Sequence, residues 1–397
     1  MVELLVAMAI GLITMLIITQ VFATAEATKR TVTGSSDAQQ TGTFSAYALE
    51  RQVRLGGTGF SRLANVWGCP LQVWRSNVAA VPMPSNLTPA STPYANHIYG
   101  PINAALGGQV LRLAPVLIVN GGGNADADAT SPAPDTILVM GGQHESATMP
   151  YLTTSVATTT SVGLVNTVGI NQNDLLVAVD QNPGSGVPSC RVVQATDAVS
   201  PATAVGVVPN PISFSGGTYT PNAGGIQALN GYSASAQLGD IGAAPTFVVY
   251  ALGSDGTTSD SLLTYDMIQG TLGSLADNIV NLQAVYGVAA TRTSNDITAW
   301  QAPTGTWSAA TLMNGTVASA DNIARIRAVR IAIVSRSANF EKAADWTAPT
   351  LGLFNDLNAA TPAADIDMTF SGNAQRFRYR TYEVSVPLRN MLLMNNS

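Results

Sequence analysis

An uncharged apolar run, Leu4 to Phe22, constrains the fold of this chain more than any other feature. Its 19 residues would extend about 28 Å as a helix, which is close to the thickness of a bilayer's hydrocarbon core. Leu, Ile, Met and Ala dominate, so the sequence predicts a helix that is apolar on every side. The residues expected to form its apolar surface are Leu4, Leu5, Val6, Ile10, Leu12, Ile13, Leu16, Ile17 and Phe22.

A single carboxylate, Glu3, lies directly before this run. A charge next to lipid is costly, so we expect Glu3 to have a partner. A secretory signal peptide would need basic residues before the run, but the first ones, Lys29 and Arg30, follow it. Those two residues alone would place the following domain in the cytoplasm. We expect instead an upstream basic leader, outside this sequence, that sets the opposite orientation.

The composition of the 397 residues narrows the class of protein. Only 11% of residues are charged and the net charge is −6, which argues against a nucleic-acid surface and against basic binding of anionic lipid. Abundant Gly, Pro, Thr, Ser and Asn suit an extracytoplasmic β-rich domain with many turns. The two cysteines, Cys69 and Cys190, favour one disulfide in an exported chain, and two buried free thiols are the alternative.

The helix should continue beyond the apolar run, although the Thr, Ser and Gly of residues 31–36 weaken its middle. Its second half should dock on a globular domain and end at Gly56 and Gly57. The predicted organisation is an apolar half over residues 1–30, a docked half over 31–57 and a β-rich head over 58–397. The docking stripe predicted from helical spacing consists of Phe44, Tyr47, Ala48, Arg51 and Leu55.

The remaining chain reads mainly as short strands between turns. A helical period covers Leu275 to Val288, and a second short helix is predicted from Asp321 to Ala328 with Asp321 as its cap. The predicted strands are Thr136–Met140, Asp174–Val179, Cys190–Thr196, Phe247–Leu252, Ser261–Tyr265, Val329–Val334 and part of Arg376–Leu388.

The opening MVELLVAMAIGL resembles the mature N-terminus of type IV pilins and pseudopilins, in which an apolar helix begins near an essential Glu. The segment ALERQVRLGG, which leads to Cys69, resembles PilW-type minor pilins. Further motifs similar to PilW are DTILV, NDLLVAV, CRVVQAT, LQAVYGV and RFRYRTYEVSVPL. Ordinary helix-surface pairing at three- and four-residue spacing is expected for Glu50, Arg51 and Arg54.

The resemblance implies an α+β fold: a pilin-like long N-terminal hydrophobic helix packed on an enlarged antiparallel β-rich globular head. It implies a structural filament subunit, without enzymatic activity or cofactor, that primes pilus assembly or sits at the tip. Its location would be the inner membrane, with the head in the periplasm, and later the extracellular filament. Glu3 would pair with the N-terminal amine of a neighbouring subunit. The implied partners are major and minor pilins, a prepilin peptidase, the inner-membrane assembly platform, a large tip adhesin and membrane lipid.

Three alternatives share parts of this pattern. A pseudopilin of a type II secretion system has the same helix. A main structural subunit of a pilus-like filament would also need it. A membrane-anchored surface domain that binds or cuts a glycan would instead need a pocket with paired carboxylates.

Candidate sites for other chemistry are weak. Asp126 and Asp128 have calcium-loop spacing, but the Gly and Glu that such a loop requires do not follow. Of the two histidines, His97 is isolated and His144-Glu145 lacks the second His of a zinc helix, so we expect no metal. The basic and aromatic alternation of 376–380 would suit stacking on single-stranded DNA. We favour the simpler interpretation of a strand with one exposed and one buried face.

Overall fold

The structure is a computed structural model. It describes residues 2–73, 100–122, 132–143, 149–154, 157–158, 160–180, 190–197, 211–214, 217, 229, 231–253, 260–341, 346–357 and 366–392. Its helices are α1 (Val2–Arg54), α2 (Gly100–Leu106), α3 (Ala309–Leu312), α4 (Val317–Ala324) and α5 (Arg389–Leu392), with 3-10 turns at Gly305–Trp307 and Gly372–Arg376.

Eighteen strands make up the described part of the head. The first nine are β1 (Leu71–Gln72), β2 (Val116–Val119), β3 (Thr136–Gly141), β4 (Tyr151–Leu152), β5 (Ser161–Val162), β6 (Leu175–Val179), β7 (Cys190–Gln194), β8 (Ile212–Ser213) and β9 (Gln237–Gly242). The others are β10 (Thr246–Gly253), β11 (Ser261–Asp266), β12 (Thr271–Asp277), β13 (Ile279–Ala289), β14 (Ile297–Gln301), β15 (Ile326–Arg336), β16 (Leu351–Leu353), β17 (Ile366–Met368) and β18 (Tyr379–Pro387).

Three larger sheets organise these strands. The first has the order β1-β7-β6-β9-β4, the second β12-β11-β10-β3-β2 and the third β14-β13-β15-β18. Two small pairs, β5-β8 and β16-β17, flank them. Strand pairing in the described residues is antiparallel apart from β1 with β7. A long apolar helix with a large antiparallel β region is the α+β class predicted from the sequence.

Helix α1 lies on the third sheet and its C-terminal end enters the main core. Leu49 and Val53 of the helix are buried there, among side chains of the second and third sheets. The first sheet packs a second core of its own against β5 and β8. A third core forms under β16 and β17. The other face of the first sheet packs into the main core together with α1, so this sheet lies between the main core and the second core.

A buried polar seam joins the second sheet to the third along β13. The Asp135 N–H donates to Leu282 O at 2.7 Å. Its carboxylate accepts from Ala284 N at 2.9 Å and from Gly121 N at 3.0 Å. Gln283 Nε2 donates to Ala133 O at 2.9 Å. The residues before β3 thus form hydrogen bonds with the part of β13 that does not pair with β14.

Most of the predicted strands are confirmed, often with slightly longer bounds. The helical period over Leu275–Val288 is wrong, because β12 and β13 occupy this stretch. Every residue of β13 is buried, including its polar residues Asn281 and Gln283. Their side chains donate to the carbonyls of Pro132 and Ala133 instead of facing water, so β13 lacks the solvent-exposed polar face of a half-buried strand. Asp321 is not a helix cap either. Helix α4 starts earlier, at Val317, and the Thr316 hydroxyl accepts from Ser319 N at 3.1 Å.

The predicted disulfide between Cys69 and Cys190 is present, with the two Cα atoms 5.8 Å apart. Cys190 is the first residue of β7, and β1 follows Cys69 almost directly. The bridge therefore brings Leu71 into parallel register with Cys190. It also ties the segment that follows α1 to the first sheet.

Removing this disulfide should destabilise the protein strongly. The bridge closes a loop over a sequence separation of 121 residues, which corresponds to about 4–5 kcal/mol on the chain-entropy model. We expect Cys69→Ser and Cys190→Ser to lower the free energy of unfolding by similar amounts, and the double variant by no more than either. Urea unfolding of the four proteins measures this. Free thiols at both positions in unreduced peptides would contradict the assignment.

The buried carboxyl group of Asp135 in this seam should make the free energy of unfolding depend on pH. Complete burial raises the pKa of Asp135 from 3.8 to about 7, against the opposing effect of the hydrogen bonds from Ala284 and Gly121. Between these values the folded state holds a proton that the unfolded state has released, so stability falls as pH rises from about 4 to about 7. Each pKa unit corresponds to about 1.4 kcal/mol, and we expect a total decline of a few kcal/mol.

Asp135→Asn supplies the comparison because it resembles the protonated acid at every pH. Its unfolding free energy should be close to that of the natural protein at pH 5 and should change less between pH 5 and pH 8. All other titratable groups are common to the two proteins and cancel in the difference. Equal pH slopes for the two proteins would contradict the assignment to Asp135.

Candidate functional site: the N-terminal helix and its docking face

The first half of α1 extends away from the head. Large apolar side chains from Val2 to Phe22 are between 52% and 76% exposed. They include all the residues predicted for the apolar surface: Leu4, Leu5, Val6, Ile10, Leu12, Ile13, Leu16, Ile17 and Phe22. Within the described residues, α1 is long and apolar enough to cross a membrane, and its most apolar window has no buried residue. This subunit leaves that surface uncovered.

Threonine hydroxyls within the apolar half bond to the helix backbone. Thr14 Oγ1 donates to Ile10 O at 3.0 Å and Thr24 Oγ1 donates to Gln20 O at 2.9 Å. Such bonds satisfy a hydroxyl without water. The polar groups of these side chains are therefore compatible with an apolar surrounding.

Glu3 lies in the first turn of α1. A carboxylate at this end of a helix interacts favourably with the helix dipole. The Glu3 side chain is exposed and makes no hydrogen bond or ion pair with any described residue. Its pairing with a neighbour's amine stays a prediction.

The docking face of the second half of α1 consists of small residues. Gly34, Ala38, Gly42 and Ser45 are buried at three- and four-residue spacing, and Leu49 continues the row into the core. Residues at this spacing share one face of a helix. The helix thus presents a nearly flat strip of backbone to the third sheet.

The docking stripe predicted from large side chains is wrong. Phe44 is 53% exposed and Tyr47 is 64% exposed, while Arg51 is also exposed and Ala48 and Leu55 are only half-buried. The spacing was helical, but the stripe lies on the side of α1 that faces away from the head. The signal that sequence reasoning missed was the recurrence of small residues at 34, 38 and 42.

Gly42 marks the closest approach between helix and sheet. A Cβ atom at this position would overlap the ring of Tyr382 and meet Ser335 Oγ. Because the backbones are so close, hydroxyls of the sheet reach helix carbonyls. Ser335 Oγ donates to Ala38 O at 2.8 Å, and Tyr382 OH donates to Gln39 O at 3.0 Å.

A polar contact fixes the helix where it meets the head. Thr31 Oγ1 and Arg378 Nε both donate to Glu341 Oε1 at 2.8 Å. The hydrogen bond from Arg378 is the main cause that lowers the pKa of Glu341, and Thr31 adds to it. Arg380 Nη2 donates to Ser35 Oγ at 3.2 Å. Strand β18 and the segment before it therefore hold the helix through both hydroxyls and charges.

The basic residues of 376–380 are largely used inside the head. The Arg376 guanidinium lies 4.2 Å from the centre of the Phe340 ring, and that of Arg378 lies 4.1 Å from the centre of Trp346. Phe377 is covered in the same way by Arg336 at 4.3 Å. These aromatic faces bind the chain's own cations. The arrangement favours a structural role over stacking on nucleic-acid bases.

The predicted helix-surface pairing is confirmed for Glu50 and Arg54, which form an ion pair. Arg51 is exposed. The pair is half-buried, and a helix pair at four-residue spacing contributes only about 0.3–0.5 kcal/mol. This motif therefore marks a helix surface rather than a binding site.

Several predicted side chains lie outside the described residues, namely His97, Asp126, Asp128, His144 and Glu145. In the part of the chain that the structure describes, no group of three or more His, Cys, Asp or Glu side chains could hold a metal ion. The interactions that the described residues show are packing and surface contacts.

Gly42→Ala should destabilise the protein, although alanine normally favours a helix over glycine by about 1 kcal/mol. The new methyl group must displace the Tyr382 ring, and overpacking of this kind costs about 1–3 kcal/mol. Gly11→Ala is the matched control, because a Cβ there meets nothing within 4 Å. Denaturant unfolding of the full chain in detergent should show a loss for Gly42→Ala only. Equal effects of both substitutions would contradict the close approach.

A comparison with known protein families finds a match for part of this chain. Residues 249–390 match the family model of the type IV pilus-assembly protein W, PilW. The matched range contains LQAVYGV on β13 and the whole of β18, which bears the helix contacts. Neither a curated protein nor a solved structure matches the chain. The resemblance predicted from the sequence is confirmed over residues 249–390, and this match supports a PilW-type protein of type IV pilus assembly.

Proposed function

We propose that this chain is a minor pilin, a structural subunit that primes assembly of a type IV pilus or sits at its tip. The observation that carries the proposal is the apolar half of α1, which this subunit leaves uncovered while the second half docks on a PilW-type head. The proposal includes no enzymatic activity and no cofactor. The PilW match also suggests that the partner proteins of this chain are other components of the pilus.

Two environments would cover the apolar half in turn. Before assembly, lipid of the inner membrane surrounds it and the head lies in the periplasm. During assembly the helix leaves lipid and packs against the same helices of neighbouring pilins. Each large apolar side chain that is fully covered contributes about 1.5–3 kcal/mol relative to water, so neither state can leave this surface wet. Contacts that do not close on themselves then generate an open helical filament.

Glu3 would set the register of the incoming helix. Cleavage of an upstream leader by a prepilin peptidase would free an N-terminal amine, and a carboxylate of a neighbour would pair with it. In an apolar filament core each charge offsets the desolvation of the other. A helix displaced by one turn would leave both charges unmatched, so the pair selects one position.

Glu3→Ala should reach the inner membrane normally but enter filaments poorly. Loss of the acid alone would leave a buried amine unpaired, at a cost of about 3–5 kcal/mol. The measurement is the ratio of sheared filament to membrane-bound protein in cells that assemble the pilus. Glu3→Asp should retain part of the incorporation, because it keeps the charge.

Glu26→Ala is the matched control on the same helix. Glu26 pairs with Arg30 of its own chain, at 3.3 Å, so its loss should leave incorporation unchanged. Equal incorporation of Glu3→Ala and the natural protein would rule out the pairing. Absence of the natural protein from sheared filaments would rule out the function itself.

A further inference from the structure

The end of the head nearest the apolar half of α1 carries an exposed turn. Every described helix residue before Thr31 is exposed, whereas Thr31 is half-buried and donates to Glu341. Strand β15 runs towards this end, because a Cβ atom at Gly34 would lie only 3.2 Å from Cβ of Ser337, the residue after the strand. Residues 338–340 then form the exposed turn before the chain reaches Glu341. The turn therefore lies at the level along α1 at which the helix meets the head, here called the proximal level.

The length of α1 places this level near the surface of a membrane that the helix spans. The first charged residue after the apolar run is Glu26, so the uncharged stretch from Leu4 to Ala25 would extend about 33 Å. A hydrocarbon core of about 30 Å would therefore end between Phe22 and Ala25. Thr31 follows after six to nine residues, or about 9–13 Å. Headgroups occupy about 5–8 Å of this distance, so the turn lies at their outer boundary.

Apolar side chains are exposed at the proximal level. Phe340, in the turn, is 61% exposed, and Val32 of the helix is 62% exposed. The Arg376 guanidinium lies 4.2 Å from the centre of the Phe340 ring, and the Phe377 ring meets it edge-on at 6.2 Å. Arg376 Nε also donates to Glu341 O at 2.9 Å. These contacts fix an exposed aromatic ring beside a cation, and both kinds of side chain are typical of membrane interfaces.

The charge of the proximal level differs from that of the whole chain, which is −6. Its described cations are Lys29, Arg30, Arg376 and Arg378. Two of them are paired, Arg30 with Glu26 and Arg378 with Glu341. Lys29 and Arg376 make the described residues of this level positive, and the next acid of the helix, Asp37, lies about 9 Å further from the membrane than Thr31. A positive level on an acidic chain complements an anionic membrane surface.

We propose that Lys29, Phe340 and Arg376 bind anionic phospholipid headgroups while the subunit is anchored in the membrane. The proposal rests on the proposed function, because it requires α1 to span the membrane. The Phe340 ring enters the headgroup layer, and the two cations bind phosphate oxygens, which a guanidinium can do through two parallel hydrogen bonds. The contact holds the head against the membrane and is lost when the helix leaves lipid. It therefore distinguishes the anchored subunit from the assembled one.

Fluorescence quenching in vesicles tests the proposal on the full chain. Asn339, exposed beside Phe340, is replaced by cysteine and labelled with a fluorophore, and the two native cysteines do not react because they are bonded to each other. The matched control carries the label at Val317, which is 90% exposed on α4. Helix α4 precedes β15, whose 11 residues separate it from the turn by about 36 Å.

The vesicles contain phosphatidylcholine alone or with phosphatidylglycerol, and a nitroxide quencher is attached to some of the headgroups. We expect quenching at position 339, stronger with phosphatidylglycerol, and none at position 317. Each signal is compared with that in vesicles without the nitroxide.

Ring and charge variants of the position-339 protein supply the decisive comparison. Phe340→Ser should reduce the quenching in both kinds of vesicle. Lys29→Gln should reduce it only with phosphatidylglycerol, because one cation near an anionic surface contributes about a fivefold preference for that surface. Arg389→Gln removes an exposed cation near the other end of the docked helix, where Asn390 donates to Gly56 O, and should leave the quenching unchanged.

Three results would overturn the headgroup contact. These are quenching at 339 no stronger than at 317, quenching that phosphatidylglycerol does not increase, and quenching that neither Phe340→Ser nor Lys29→Gln reduces. Membrane insertion is read separately by flotation with the vesicles. An inserted chain without quenching at 339 would remove the headgroup contact and leave the proposed function standing. Quenching as expected from a chain that is absent from sheared filaments would do the reverse, and a chain that does not float would contradict both.

Discussion

The backbone of α1 lies against the third sheet so closely at Gly42 that a methyl group would not fit beneath the Tyr382 ring. The rest of the structure depends on this approach. It brings the hydroxyls of Ser335 and Tyr382 within reach of helix carbonyls, and so positions β15 and β18. Strand β13 pairs with β15, and the buried carboxylate of Asp135 connects β13 to the second sheet. One close contact therefore orients a helix of 53 residues relative to most of the head.

The same contact determines which side of α1 faces the head and which side is left exposed. The small residues of the docked half face the head. The larger side chains of this half, Phe44 and Tyr47, therefore lie on the opposite side and are exposed. The apolar half is exposed all round. Under the proposed function, both surfaces are covered by neighbouring subunits, and the head does not compete for them. A bulkier docking face would hold the helix further from β18 and lose the hydrogen bonds to its carbonyls.

The sequence predicted the strands well where short β-branched runs stand between turns, as at Thr136–Met140 and Cys190–Thr196. It failed where tertiary contacts override the local pattern. In β13 both faces are buried, the amide side chains of Asn281 and Gln283 bond to carbonyls of the segment before β3, and the apolar residues coincided with a helical period. The docking face was misjudged because large apolar residues were taken as buried. Close backbone packing selects small residues instead, and Gly34 and Gly42 read as helix-weakening when taken alone.

The first sheet lies between two cores. One face contributes Leu175, Val177 and Val192 to the main core that α1 enters, and the other face has a core of its own. The disulfide attaches the sheet to the segment after the helix. The docked half of α1 separates this sheet from the apolar half of the helix. About 1.5 Å per residue makes this separation roughly 35 Å. Under the proposed function, the apolar half of α1 can therefore contact filament neighbours, because the head covers only the docked half of the helix.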